Sequence, residues 1–251
     1  MGGTERLVSF LDGTTRLRMV SLEGLTHHEQ ARRKLLLLLL LALVLNLYHL
    51  MICHAYFVLG PPSSPLRWAS YFCNVSYECG GDVFSLAELE HCIIRACMTP
   101  PRQFLSKFVV PTAEYSFALR RPEPRTNFVL NCGSVSGVPG VIVFRPDAVD
   151  AQLDQMSAYY LRETVEVNLA KKVVTLPKML SWYTNDFGSG PADVLRAVAQ
   201  HADRRTGQAL GTMLSATDGS TVTVRYRGFN WRCRRIELLD DEELTGLLAN
   251  G

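Results

Sequence analysis

The chain has 251 residues, 47% of them hydrophobic and 20% charged, with 18 Gly and 12 Pro, which excludes a disordered tail, a collagen-like repeat and a disulfide mini-protein. Its 26 Lys and Arg stand against 24 Asp and Glu, a net charge of +2, so no global field directs it to nucleic acid or to an acidic surface. The seven cysteines, at 53, 73, 79, 92, 97, 132 and 233, contain no CxxC pair and no zinc or disulfide spacing, and read as reduced cytosolic thiols.

Lys34 is followed by eleven apolar residues, 35–45, and the apolar character continues past Asn46 to Leu59. Residues 35–54 suffice in length for a membrane span, and Arg32, Arg33 and Lys34 would hold its start on the cytoplasmic side. Asn46, His49, Cys53 and His54 argue against a span. Polar groups are costly in hydrocarbon, and Asn46, His49 and Cys53, at i, i+3 and i+7, form one stripe that protein satisfies better than lipid. A core helix in a cytoplasmic protein is the leading expectation, and a single-pass membrane segment over Leu35–Leu59 the alternative. A secretory signal is disfavoured, because the apolar run begins only after 34 residues and no small-residue cleavage pattern follows.

Pro61, Pro62 and Pro65 predict a turn after Gly60. Ser85 and Glu88 form a capping box, with Phe84 and Leu89 as a hydrophobic staple, opening a helix expected to reach about Met98, where Pro100 and Pro101 stop it. Residues 127–130 read as a buried strand ending at Asn131, Cys132 and Gly133, and 141–144 as another. Residues 150–162 read as a helix with Val149, Leu153, Met156 and Tyr160 on one stripe. Residues 165–169 and 172–176 are expected to pair as a hairpin around Ala170 and Lys171, before a helix with Pro177 in first position. Asp186, Phe187 and Gly188, with Ser189 and Gly190, predict a turn ahead of a helix from Pro191 to about His201, and 221–226 alternate like a terminal strand. No repeat and no linker divides the chain. The expected architecture is one helix-rich α+β domain with a small, mainly antiparallel sheet over 20–235, between an N-terminal segment 1–19 and an acidic C-terminal tail 236–251.

At about 100° per residue, the helix opened by Ser85 carries Leu86, Leu89, Cys92, Ile93, Ile94, Ala96 and Cys97 on one arc and Glu88, His91 and Arg95 on the other. Glu90 falls inside the apolar arc. A buried carboxylate requires a partner, and the candidates are the Asn46, His49 and Cys53 stripe with His54 at its edge, Arg95 and Arg125; the competing reading is a helix end near the surface where Glu90 is solvated. Cys132 follows an expected strand and precedes Gly133, a setting in which nucleophiles are presented; it would need His91, His54 or His49 as base and Glu90 or Asn46 to orient that base. The competing reading is a small buried hydrophobe in a tight turn.

Three further matches are set aside. Asp186, Phe187 and Gly188 spell a kinase metal motif without the loops that accompany it, and Gly133, Gly137 and Gly140 lack the Lys and Ser/Thr of a phosphate loop. Basic and aromatic residues alternate over 225–235, but the acidic residues 240–243 follow at once, so no nucleic-acid partner is expected.

Four signatures in order resemble the domain-of-unknown-function family 547. They are Asn46-Leu47-Tyr48-His49 with His54 and Tyr56; residues 80–91 (GGDVFSLAELEH) with Arg95; residues 130–134 (LNCGS); and residues 174–178 (VTLPK) with Trp182, Tyr183 and Asp186 to Gly188. Phe229-Asn230-Trp231 is similar to the aromatic-Asp-Trp ending of the family. The apolar run is longer than the helix that usually precedes the family's Asn. Relatives stand alone, follow a leucine-zipper segment in plant proteins, or are fused to DEP-type and glutaredoxin domains. The resemblance implies a domain over about 20–235, no established activity and no cofactor, and it suggests a module that works through protein partners. Gly137 and Val138 stand where many relatives have Cys and Pro, so it implies no two-cysteine redox role for Cys132.

Together these readings gather Asn46, His49, His54, Glu90, His91 and Cys132 around one cleft. They leave two functions to separate: a module acting through protein partners, and a thiol hydrolase or acyltransferase with Cys132 as nucleophile. A metal site from the same groups is weakened by the lack of ligand spacing.

Overall fold

The computed structural model describes residues 30–102, 110–217 and 222–249. The expected N-terminal segment 1–19, the domain start at 20–29 and the first residue of the expected strand 221–226 lie outside the described residues.

Helix α1 spans Gln30–Leu59. Its leucines are strong helix formers and no Gly or Pro interrupts them. Its middle is enclosed by other elements, whereas Leu35, Leu39, Cys53, Phe57, Val58 and Leu59 are exposed. Leu45, Met51 and Ile52 are fully buried. By length and composition Leu35–Leu59 is long and apolar enough to cross a membrane, but 56% of its most apolar window is buried within the domain. Gly60, at φ +73°, ends the helix and donates its N–H to Tyr56 O at 3.1 Å.

The proline run does more than turn the chain. Pro65 is the first residue of helix α2, Pro65–Asn74, with Ser64 as its cap. Strands β1, Ser76–Cys79, and β2, Asp82–Ser85, form an antiparallel hairpin. The expected capping box at Ser85 and Glu88 opens α3, Leu86–Glu88. The helix then departs from expectation: it continues as a π-helix over Leu89–Ile94 and stops there, short of Met98.

Residues 127–130 are not a strand. Thr126–Val129 form a helical turn, α4, with Thr126 Oγ1 donating to Glu123 O at 2.8 Å and all four side chains buried. A short apolar run buried on every side carries no period that separates strand from helix. The second expected strand is cut to β3, Gly140–Val141. At Phe144 the backbone pairs with a side chain: Asn46 Nδ2 donates to its carbonyl at 2.8 Å, and its N–H donates to Asn46 Oδ1 at 2.8 Å. The side-chain amide thus stands in for a neighbouring strand.

Helix α5, Val149–Thr164, packs against α1 and α4. Strands β4, Glu166–Asn168, and β5, Val173–Pro177, pair antiparallel as expected. Pro177 is still in the strand, so the helix expected to start there is reduced to α6, Met179–Trp182. A 3₁₀ turn, Thr184–Asp186, precedes α7, Pro191–His201, and then α8, Arg204–Thr217. β6, Thr223–Arg227, runs parallel to β5, and β7, Glu237–Leu238, parallel to β3. The acidic segment expected as a tail closes the fold: α9, Asp241–Ala249, packs on α5 through the fully buried Leu244, and Asp241 accepts from Gln152 at 3.0 Å. The class is α+β, with helices around small sheets ordered β1-β2, β3-β7 and β4-β5-β6.

Candidate functional site

The π-helix shapes the site. Arg95 N–H donates to Glu90 O at 2.9 Å, an i→i+5 bond, so the turn is wider than in an α-helix and every later side chain is rotated from its expected direction. Arg95, expected on the wet face, is 2% exposed, whereas Ala96 and Cys97, expected on the apolar arc, are exposed. Glu90 and His91 are thereby placed together on the wall of a recessed cavity of about 300 Å³.

Glu90 forms the polar floor. Tyr48 Oη donates to its Oε2 at 3.3 Å and Tyr183 Oη to its Oε1 at 3.1 Å, so each carboxylate oxygen has one phenol and a free lone pair. Burial first, then the carboxylate itself, pushes both phenols well above their ordinary range and keeps them as donors. Tyr48 belongs to the segment in which a partner for Glu90 is expected, although not to its polar stripe. The arginines expected as partners are engaged elsewhere: Arg95 with Asp186, and Arg125 with Glu123, Asp150 and Asp154. His91 Nε2 is 3.8 Å from Glu90 Oε1, beyond hydrogen-bond reach. Burial lowers the pKa of His91, against the opposing pull of Glu90.

Cys132 lines the same cavity. Its position is fixed by backbone contacts: Tyr56 Oη donates to Cys132 O at 2.7 Å, and Asn131 Oδ1 accepts from Gly133 N at 2.9 Å. Gly133 has φ +80°, and a Cβ there would lie 2.7 Å from Tyr56 Oη, so only glycine permits this turn. Burial pushes the Cys132 thiol up to about 11, and the Glu90 carboxylate adds to that, while the hydroxyl and N–H of Ser134 oppose it. No imidazole is among these groups.

Asn46, His49 and His54 do not line the cavity. Asn46 holds Phe144, and His54 Nδ1 bonds the Tyr77 hydroxyl. His49 is 6% exposed, with Nε2 3.1 Å from Val129 O and 3.2 Å from Asn131 N, and thus braces the turn that leads to Cys132. The expected single cleft is therefore three residues, Glu90, His91 and Cys132, with Asn46 and His49 as supports behind it. Cys53, the last residue of the expected stripe, is exposed. Among the described residues no three His, Cys, Asp or Glu side chains converge to hold a metal ion.

A further part of the lining is aromatic and is not expected from the sequence as one surface. The chain has three tryptophans, and Trp68, Trp182 and Trp231 all line the cavity. Trp231 joins them, with ring centroids 5.6 Å from Trp68 and 6.1 Å from Trp182, and Phe229 lies 4.3 Å from Trp231. Trp68 Nε1 donates to Trp231 O at 2.7 Å, tying α2 to the strand end after β6. Of the aromatics that alternate with arginines over 225–235, Phe229 and Trp231 belong to this lining. The tryptophans are too far apart in sequence for any period to link them.

Burial lowers His49 to a pKa of about 4, partly opposed by its bond to Val129 O. The folded value is below the unfolded one, about 6.5. The contribution is therefore complete above pH 6.5 and is lost as pH falls through about 4, to the extent of about 3 kcal/mol. Denaturant unfolding between pH 7 and pH 4 should fall less steeply for His49→Gln than for wild type. Equal slopes would remove His49 from the account.

A family model described as "Protein of unknown function, DUF547" matches residues 40–161, which include Tyr48, Glu90, His91 and Cys132. The cavity residues Trp182, Tyr183 and Trp231 lie beyond the matched span. No curated protein and no solved structure matches the chain.

Proposed function

We propose, for a chain that belongs to the DUF547 family through residues 40–161, a recognition function in which a partner presents a chemical group to the recessed cavity. One observation carries the reading: a carboxylate held by two phenols shares with a cluster of aromatic rings a space large enough for a small ligand. A second reading is a thiol hydrolase or acyltransferase at Cys132. The two donors of Ser134, which favour the thiolate, speak for it. Burial and the nearby Glu90 speak against it, since a nucleophilic cysteine needs its pKa lowered by a base and here it is pushed up to about 11.

Because every tryptophan of the chain lines the cavity, selectively excited tryptophan emission reports its occupancy. The test uses three probes of similar shape and different charge: tetramethylammonium, 3,3-dimethylbutanol and trimethylacetate. At least one should change the emission saturably in wild type and fail to do so in Ala69→Phe, which fills the cavity from a partly buried position on α2. If none of the three produces a saturable change, the recognition reading falls.

A further inference from the structure

The charge of the cavity restricts what it can take. Its described lining contains no Lys, Arg or Asp, and Glu90 is its one carboxylate. His91 is shifted toward its neutral form by burial, and Cys132 toward its thiol. An anion would be repelled by Glu90, and a neutral apolar ligand would bury that carboxylate with only its two phenol bonds to offset the lost water. A cation would neutralise it while resting its body on ring faces that attract positive charge.

The lining also separates kinds of cation. A primary ammonium has three N–H donors to satisfy. Asn127 offers no acceptor, since its Oδ1 accepts from Arg95 and its Nδ2 donates to Pro124 O and Asp186, so a primary ammonium would depend on Glu90, His91 and the phenol oxygens. A fully alkylated ammonium has no N–H to satisfy and gains more from aromatic contact. We infer that the cavity is a receptor for a fully alkylated ammonium group, with Glu90 as counter-charge and the half-buried Trp182, Phe229 and Trp231, backed by the buried Trp68, as its apolar support. This rests on the recognition reading above and assigns its ligand class.

The group could arrive on a small free amine or on an alkylated lysine side chain, and the experiment separates the two. Tryptophan emission is titrated with tetramethylammonium, with its neutral relative 3,3-dimethylbutanol, and with a short peptide carrying one trimethyllysine. Tetramethylammonium should bind at least tenfold more tightly than 3,3-dimethylbutanol, and Glu90→Gln, which removes the charge, keeps an acceptor for one phenol and turns an amide N–H toward the other, should abolish most of that ratio. Tighter binding of the peptide than of tetramethylammonium assigns the group to a protein partner; binding of tetramethylammonium without the peptide assigns it to a free amine. If 3,3-dimethylbutanol or trimethylacetate binds as well as the cation, the ammonium assignment is wrong while the recognition reading stands. The wild-type ratio decides this even where the variant folds poorly.

Discussion

Asp186→Ala should lower the stability of the domain by about 3 to 5 kcal/mol, the largest loss expected of any single side chain near the cavity. The Asp186 and Arg95 side chains are 1% and 2% exposed, with Arg95 Nη2 and Asp186 Oδ2 2.7 Å apart. Asp186 also accepts from Asn127 at 2.9 Å and from Thr99 at 3.0 Å, and the guanidinium stacks 3.8 Å from the ring centre of Tyr183. Removing the carboxylate strands a cation that has no route to water, and it leaves the Asn127 amide short of a partner. For a chain of this size the loss corresponds to a fall in Tm of roughly 6 to 20 °C. Arg95→Met together with Asp186→Leu should recover much of it, because the cost lies in the unpaired charge and not in the absence of the pair. A single variant that unfolds within about 1 kcal/mol of wild type would show that solvent or another group reaches Arg95. The network also bears on the site, since Arg95 positions the ring of Tyr183, whose hydroxyl holds Glu90.

The elements legible in the sequence are those whose signals are local. Ser85 and Glu88 announce a helix start, because each bonds the other's backbone within one turn; Pro191 and the turn before it do the same for α7. The hairpin of β4 and β5 follows from alternation alone. Other elements depend on distant partners. The strand expected at 141–144 is cut short by the pairing of Asn46 with Phe144, across 98 residues. Helix α8 carries Gly207 and Gly211, which weaken its helical signal, yet Leu210 and Met213 are buried.

The site was legible in part for the same reason. Glu90 in an apolar arc signals a carboxylate with a partner, and Cys132 before Gly133 signals a constrained turn; both are brought to the cavity. A helical wheel assumes a constant turn, so it cannot register the π-helix that directs Arg95 inward and leaves Ala96 outside. Asp186 looks like a turn residue because its setting is short and polar, although Arg95 and Asn127 enclose its side chain. His49 and Asn46 carry the chemistry of a catalytic pair, but their partners are backbone groups, which no side-chain pattern discloses.

Cys132 should be among the slowest of the seven cysteines to react with iodoacetamide at neutral pH, and this result separates a recognition module from a thiol enzyme. With the thiol pushed up to about 11, its thiolate fraction at neutral pH is a few hundredfold below that of an ordinary cysteine near 8.5. The more basic thiolate is intrinsically the better nucleophile, which returns part of the deficit and leaves a rate roughly 20-fold lower before any steric shielding. Cys73, exposed on α2, provides the internal reference. The rate at Cys132 should keep rising through pH 10, and Glu90→Gln should move its midpoint down slightly, because burial outweighs the carboxylate as the cause of the shift. Preferential labelling of Cys132 with a midpoint near neutral pH would overturn this account, since it would require an imidazole to stabilise the thiolate, and His91 is the histidine on that cavity wall. Tetramethylammonium provides a cross-check on location. If it occupies the space above Glu90, it should slow the alkylation of Cys132 and leave that of Cys73 unchanged, because only the former thiol shares the cavity.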